Sequence, residues 1–93
     1  MSVYCRGIAT IRHKDSRNSY EIQSHELDWQ AVQSEERGMG PETHYEAHVE
    51  HPELGLLSWS VWEYPVGAEN ARQTSINNHI LVRDFDYGFE TTP

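Results

Sequence analysis

Two imidazoles and two carboxylates alternate along residues 43–51, and this row is the part of the chain best suited to chemistry. Its members are His44, Glu46, His48 and Glu50. On a strand, residues two apart project from one face about 6.5–7 Å from each other. Such a row would bind Zn²⁺, Ni²⁺ or Cu²⁺ if a neighbouring strand supplied another ligand. The spacing matches no zinc signature, so we predict a solvated polar face and keep a His/Glu surface metal site on strand 43–51 as an alternative.

Two further pairs of side chains have the types that acid–base or nucleophilic chemistry uses. Asp84 and Asp86 are carboxylates two apart, and Ser58 and Ser60 lie on a strand that would place His48 opposite Ser58. Acid–base catalysis needs a partner group, and a serine nucleophile needs an orienting carboxylate and an oxyanion hole. The sequence supplies none of these, so we assign no catalytic residue, no metal ligand and no cofactor, and we favour a protein that is not an enzyme.

Two aromatic residues fall on the polar side of a predicted strand. Trp62 and Tyr64 share a face with Ser58 and Ser60, and the predicted register places His44 opposite Trp62. Exposed aromatic side chains offer a large contact area at low entropic cost, as protein-binding surfaces do. The sequence therefore predicts a binding surface made of Trp62, Tyr64, His44 and His48, unless a second layer of the fold covers these aromatics.

The strands that position these residues are predicted to form one hairpin. Residues 43–51 and 56–64 each alternate apolar and polar side chains, which is the period of a half-buried strand. A proline and a glycine in the sequence between them favour a tight turn. Pairing Ala47 with Trp59 keeps both apolar faces on one side, and we expect a bulge at Gly55 to reconcile this register with the turn.

The remaining segments are read by the same alternation. Strands are predicted over 3–13, over 19–25 and over 79–90, with the first two paired as a hairpin. In 79–90 the aromatic residues share one face, which should pack across the core. Residues 68–78 contain few apolar groups and are expected to form a loop.

Residues 26–37 fit two structures. Leu27, Trp29 and Ala31 alternate with polar residues, which favours a strand. Acidic residues early in the segment and Gly38 after it would also suit a helix and its C-cap. We favour the strand and keep the helix as the alternative.

Charge is distributed unevenly along the chain, whose formal net charge is −8. Residues 1–18 carry four basic groups and one acidic group (4 − 1 = +3), and residues 19–93 carry three basic and fourteen acidic groups (3 − 14 = −11). The basic surface that nucleic-acid binding requires is missing, and an anionic membrane would repel most of this surface. A basic protein partner fits this charge best.

The sequence predicts a cytoplasmic protein that neither binds nor crosses a membrane. The longest apolar runs are three residues, such as 80–82, too short for a membrane span or a signal-peptide core. The single Cys5 has no partner for an internal disulfide, as is common in a reducing compartment. We expect Cys5 to be a buried, inert thiol.

These patterns predict one mainly β domain over residues 1–93, with a frayed tail at 91–93. We expect a single antiparallel sheet or small sandwich of five to six strands, with an α+β fold carrying helix 26–37 on the sheet as the alternative. Free strand edges would allow a homodimer.

Three functions are compatible with this sequence. The favoured one is a non-enzymatic acidic interaction module that binds a protein partner. The second is a small-molecule-binding β domain with a pocket lined by Trp29, Trp59 and Phe85. The third is the surface metal site on strand 43–51.

Overall fold

The fold is mainly β, as the sequence predicts. A computed structural model describes residues 3–32, 43–63 and 71–89. They form nine strands in three antiparallel sheets. The sequence predicts a single antiparallel sheet or small sandwich of five to six strands, so the single sheet and the strand count are wrong. The strands are β1 (Val3–Arg6), β2 (Ile8–Arg12), β3 (Ser19–Gln23), β4 (Asp28–Val32), β5 (Thr43–His51), β6 (Gly55–Glu63), β7 (Ala71–Ser75), β8 (Ile80–Arg83) and β9 (Asp86–Phe89). The predictions for Tyr64, for residues 33–37 and for the tail 91–93 lie outside the described residues.

The hairpin of β5 and β6 is the centre of a four-stranded sheet with the order β4-β5-β6-β7. Ala47 pairs with Trp59, which confirms the predicted register. His51 pairs directly with Gly55, so three residues make the turn and the strands pair without a shift in register. Gly55 has a φ of 83°, a conformation that favours glycine. This glycine and the shorter turn replace the bulge that we expected.

The other two sheets are formed by the segments 3–12 and 80–89, which pair with each other on both sides of a bend, and by β3. β1 pairs with β9, and β2 pairs with β8 on one side and β3 on the other. The strand predicted over 3–13 is split at Gly7, whose φ is 89°. The strand predicted over 79–90 is split at Asp84 and Phe85. These two breaks are the main reason that the strand count exceeds the prediction, because alternation alone does not show where a strand bends.

Residues 24–32 form a single 3₁₀ turn followed by a strand. The turn spans Ser24–Glu26, and the backbone N–H of Gln23 donates to Glu26 Oε2 at 2.7 Å. β4 then pairs along its length with β5, and Leu27 at its entry is buried. The strand interpretation is therefore confirmed for 28–32, and the helix alternative is wrong for these residues.

The expectation of a loop over 68–78 is wrong for residues 71–75, which form β7 at the edge of the four-stranded sheet. β7 pairs with residues 58–62 of β6. Its inward side chains are polar and bind the core through hydrogen bonds. Arg72 Nη1 donates to the carbonyl of Tyr87 at 2.7 Å, and Thr74 Oγ1 lies 2.8 Å from the Tyr87 hydroxyl. A strand held in this way needs few apolar residues, so its sequence resembles a loop.

The core lies between the four-stranded sheet and the aromatic side chains of the bent strand 80–89. Trp59 packs on Phe85 with ring centroids 5.3 Å apart, and Tyr45 meets Phe89 edge to face at 5.8 Å. Tyr87 is buried as well, so the predicted aromatic face of 79–90 is confirmed. The buried apolar residues are Ala9, Ile11, Ile22, Leu27, Ala47, Leu54, Leu57, Trp59, Val61, Phe85, Tyr87 and Phe89.

Asp84 connects the two sides of this core. The indole N–H of Trp59, a fully buried side chain, donates to Asp84 Oδ1 at 3.1 Å. The same oxygen accepts the backbone N–H of Phe85 at 2.8 Å. The spacing of Asp84 and Asp86, two apart on a predicted strand, favours a solvated face for both carboxylates. Asp84 instead lies in the break between β8 and β9, where the interrupted alternation lets its half-buried carboxylate face Trp59.

Replacing Asp84 should therefore destabilise the fold. The Asp84→Ala change leaves the buried Trp59 N–H without an acceptor, and we expect the free energy of unfolding to fall by about 2–3 kcal/mol. Urea unfolding followed by tryptophan fluorescence measures this loss. The matched control is Asp86→Ala, because Asp86 is exposed and, among the described residues, accepts a side-chain hydrogen bond from the Tyr4 hydroxyl alone, at 3.3 Å. Equal unfolding midpoints for the two variants would show that the Trp59–Asp84 bond contributes little.

Candidate functional site

One face of the four-stranded sheet points away from the core, and we call it the outer face. Residues directly opposite each other in neighbouring strands share a face. The pairing of β4, β5, β6 and β7 places three rows on it: Val32, His44, Trp62 and Ala71; Gln30, Glu46, Ser60 and Gln73; Asp28, His48, Ser58 and Ser75. A shorter fourth row pairs Glu50 with Leu56. The predicted binding residues His44, His48 and Trp62 are thus brought together on one surface.

The rings of His44 and Trp62 stack at one end of this face. Their centroids lie 4.3 Å apart at an angle of 17°. The stack leaves the His44 side chain only 11% exposed, and Trp62 is half-buried. The cross-strand position of this pair agrees with the predicted register. Trp62 therefore presents part of its ring to solvent as a fixed surface, because the stack restricts its rotamers.

The Glu46 carboxylate lies between two imidazoles. Its Oε1 is 3.4 Å from His44 Nε2, and its Oε2 is 3.2 Å from His48 Nε2. The His48 contact is a hydrogen bond, whereas His44 Nε2 is buried and forms no hydrogen bond to any described residue. Glu46 therefore orients both histidine rings on the outer face.

This arrangement does not favour the alternative of a metal site on strand 43–51. Over residues 3–32, 43–63 and 71–89, no group of three or more His, Cys, Asp or Glu side chains is placed to hold a metal ion. Glu46 contacts one imidazole with each oxygen, so the two rings approach different atoms of the carboxylate.

The serines of the outer face show no nucleophile geometry. Ser58 lies opposite His48, as the register predicts. The His48 ring, however, bonds Glu46 rather than Ser58. Ser60 is buried at the middle of the outer face, beside Glu46 on the neighbouring strand. The position of Ser58 opposite His48 therefore reflects strand pairing and not a contact between a nucleophile and its base.

The outer face is acidic. Its carboxylates are Asp28, Glu46 and Glu50, and the described parts of its four strands contribute no lysine or arginine to it. At the hairpin end, Leu56 is exposed, and a depression of about 400 Å³ runs between Glu50, Pro52 and Leu56. The face thus combines negative charge with apolar surface at both of its ends.

A second candidate site is a cavity of about 320 Å³ between β6, β7 and β9. Its polar wall contains Arg72, Asp86 and Tyr4, and its apolar wall contains Val61 and Phe89. This cavity differs in lining from the pocket that the sequence predicted. Trp59 packs against Phe85, and Trp29 stacks on Tyr87 at 6.0 Å, so those rings fill the space between them.

Tyr87 lies in the wall of this cavity, and both Tyr87 and its cross-strand neighbour Cys5 have a raised pKa. Burial raises the pKa of the Tyr87 hydroxyl from 10.0, the Asp84 charge adds to this rise, and the Thr74 hydrogen bond opposes it. Cys5 pairs with Tyr87 across β1 and β9. Burial, followed by repulsion from Asp84 and Asp86, raises the pKa of the Cys5 thiol to about 11. The thiol is neutral at physiological pH.

Comparisons with protein-family models, with curated proteins and with solved structures gave no match for this chain. In the parts of the chain that the structure describes, no helix combines the length and the apolar character needed to cross a membrane. The function must therefore be inferred from the surfaces themselves.

Sequence reasoning missed several residues that the structure places at potential sites. Arg72 lies in the segment predicted as a loop, and Tyr4 and Asp86 lie on two predicted strands whose pairing with each other the sequence does not indicate. Only the pairing of β1 with β9, two segments from opposite parts of the chain, brings Tyr4 and Asp86 together. The exposed run 80–82 could have been noticed in the sequence, because three consecutive apolar residues depart from the alternation of a half-buried strand.

Cys5 should react slowly with thiol reagents. With a pKa of about 11 rather than 9.0, its thiolate fraction at pH 8 is lower by about 100-fold. We expect iodoacetamide to alkylate the folded protein about tenfold more slowly than the urea-unfolded protein, as mass spectrometry would show, because the greater nucleophilicity of a thiolate with a higher pKa offsets part of this loss. Asp86→Asn removes one repulsive charge and should raise the rate. Equal rates in the folded and unfolded protein would contradict this account.

The raised pKa values of Cys5 and Tyr87 should lower the free energy of unfolding at alkaline pH. The unfolded chain loses the Cys5 proton near pH 9.0, whereas the folded chain keeps it until about 11. The contribution of Cys5 to the free energy of unfolding is therefore fully present below pH 9 and is lost as pH rises towards 11. Tyr87 adds the same trend above its ordinary pKa of 10.0. Urea unfolding midpoints between pH 8 and pH 11 check this sign.

Proposed function

We propose that this protein is a non-enzymatic interaction module that binds a basic protein partner on its outer face. The observation that carries the proposal is the composition of that face. It presents Asp28, Glu46 and Glu50 without a lysine or arginine from the described strands, beside the half-buried ring of Trp62. The role agrees with the cytoplasmic location expected from the sequence.

The negative charge of the outer face should increase the rate and the specificity of association with a basic partner. Charged groups spread over a face steer an oppositely charged partner during diffusion and reject partners of like charge. The chain's net charge of −8 strengthens this field over the whole molecule. Association should therefore be fastest at low ionic strength and fall as salt screens the face.

The apolar side chains Trp62 and Leu56 should supply most of the binding affinity. Interfaces take most of their energy from a few aromatic anchors that are already ordered. The His44 stack holds Trp62 at 4.3 Å and fixes its ring before any partner arrives. Binding therefore requires little further ordering of this side chain. Leu56 and the depression beside it provide a second apolar contact at the other end of the face.

Neutralising the outer face should weaken binding to the partner. The partner is first captured from native lysate by crosslinking at low salt and then purified. For the variant Asp28→Asn/Glu50→Gln, we expect the Kd for that partner to rise by about tenfold, since two exposed charge contacts are lost. Isothermal titration calorimetry at two salt concentrations measures both Kd and its salt dependence.

The matched control removes two charges from another surface. Asp15 and Glu21 are exposed and lie outside both the outer face and the depression beside Leu56, so Asp15→Asn/Glu21→Gln should change Kd little. Trp62→Ala should weaken binding further at both salt concentrations, provided that urea unfolding shows the variant to be folded. Two charge variants with the same Kd, or a Kd insensitive to salt, would refute the assignment of the outer face.

A second candidate function is the binding of a small molecule in the cavity beside Arg72. The cavity's 320 Å³ lies at the lower end of the range for ligand pockets. Arg72 holds the carbonyl of Tyr87 with Nη1 and lies 5.0 Å from the centroid of the Tyr87 ring. Its remaining guanidinium donors would suit a ligand with a carboxylate.

This candidate is tested by a thermal-shift screen of small carboxylic acids. A ligand of the cavity should raise the melting temperature of the wild-type protein. A Val61→Leu variant, which narrows the cavity, should respond less, and Leu56→Ala, far from the cavity wall, should respond as the wild type does. A response that is the same in all three proteins would place the ligand elsewhere.

A further inference from the structure

β8 is an edge strand whose outer side has no partner among the described residues. The three-stranded sheet has the order β3-β2-β8, so β8 pairs with β2 on one side only. An edge of this kind presents backbone N–H and C=O groups that can pair with an added strand.

The side chains of this edge are unusually apolar. Ile80, Leu81 and Val82 are 39%, 37% and 51% exposed, and the strand has no buried residue. Leu81 lies opposite the buried Ile11, whereas Ile80 lies opposite the exposed Arg12. The face of Leu81 continues the apolar core side of the sheet, and the opposite face carries Ile80 beside Arg12. An added strand with one apolar and one acidic face would match this edge.

The usual protection of an edge is only partial here. Natural edge strands are commonly blunted by charged side chains, proline or bulges. β8 has one charged residue, Arg83 at its end, and one bulge, since Thr10 pairs with Arg83 and Ile11 with Leu81 so that Val82 is skipped. Three consecutive large apolar residues are nevertheless left in contact with solvent.

Cationic groups lie near both ends of this edge strand. Arg12 pairs with Ile80, and Arg83 ends the strand. Lys14 is tied to the turn before β8, because its backbone N–H donates to His79 Nδ1 at 3.0 Å and its Nζ to the Asn77 carbonyl at 3.4 Å. No described carboxylate lies within ion-pair distance of Arg12, Lys14 or Arg83. The positive N-terminal stretch noted in the sequence is thus placed beside the exposed apolar strand.

We propose that β8 binds an extended acidic peptide segment of another protein, which adds to the three-stranded sheet as a fourth strand. Backbone hydrogen bonds to the edge hold the segment, and its apolar residues extend the face that carries Leu81. Its carboxylates lie on the opposite face, which carries Arg12, Ile80 and Arg83. The acidic remainder of the protein repels such a segment and directs it to this edge. The site is separate from the outer face and prefers a partner of opposite charge.

The probe is a short capped peptide in which valine alternates with glutamate, titrated into ¹⁵N-labelled full-length protein. We expect the largest amide shifts at residues 80–83. Arg83→Glu and Arg12→Glu should each weaken binding by about tenfold, since attraction becomes repulsion. The matched control Arg6→Glu reverses an exposed charge on β1, beside the ring of Tyr4, and should change the affinity much less.

Two control peptides distinguish strand addition from other modes of binding. A peptide with N-methylated backbone amides on its pairing edge should not bind, because it cannot form the ladder. A peptide with lysine in place of glutamate should bind at least about tenfold more weakly. Equal binding of the methylated peptide, or shifts on the outer face instead of residues 80–83, would overturn the proposal.

Self-association provides a further check. In analytical ultracentrifugation without peptide, we expect the wild-type protein and the Val82→Lys variant to have the same oligomeric state. A dimer abolished by this change would mean that a second copy of the chain occupies β8, and the proposal of an acidic partner would be wrong.

Discussion

The burial of one indole determines how the two sides of this small core meet. Trp59 is fully buried, and its N–H requires an acceptor that the four-stranded sheet does not supply. Asp84 supplies it at 3.1 Å from the opposite side of the core. Asp84 reaches inward only because the strand breaks between β8 and β9, and the same carboxylate satisfies the Phe85 N–H at that break. The bend, the acceptor and the packing of Phe85 on Trp59 therefore depend on one another.

Charge is separated between two surfaces of the fold. The four-stranded sheet carries carboxylates on its outer face, and the turn and strand around β8 carry Arg12, Lys14 and Arg83. Each surface joins exposed apolar side chains with a group of like charges, and such a combination favours specific over adhesive contacts. A protein with two such surfaces would be suited to hold two partners of opposite charge at once.

Local periodicity was sufficient to predict the elements whose two faces differ clearly. The β5–β6 hairpin, its register, the β2–β3 hairpin and the inward aromatic residues of 79–90 all follow from alternation. Alternation could not locate the bends at Gly7 and Asp84, because a bend preserves the pattern on each side. It also missed β7, whose polar side chains are held by Tyr87 from a distant strand.

Among the candidate sites, the register alone predicted that His44, His48 and Trp62 would meet on one face. Neither the β8 edge nor the cavity beside Arg72 could be predicted, because both depend on which strands lie at the edges of sheets. Strand order depends on contacts between distant parts of the sequence, and a single sequence carries little local signal for it.

The pairing of β1 with β9 has a consequence for the order of folding events. Tyr4 and Asp86, joined by a hydrogen bond, are 82 positions apart in the sequence. Loop-closure entropy makes such a contact unfavourable until the intervening chain is ordered, and folding slows as contacts become more distant. We therefore expect the hairpins to form early and the β1–β9 ladder to close last. In the native state this ladder would exchange its amide protons through local opening, before the central hairpin does.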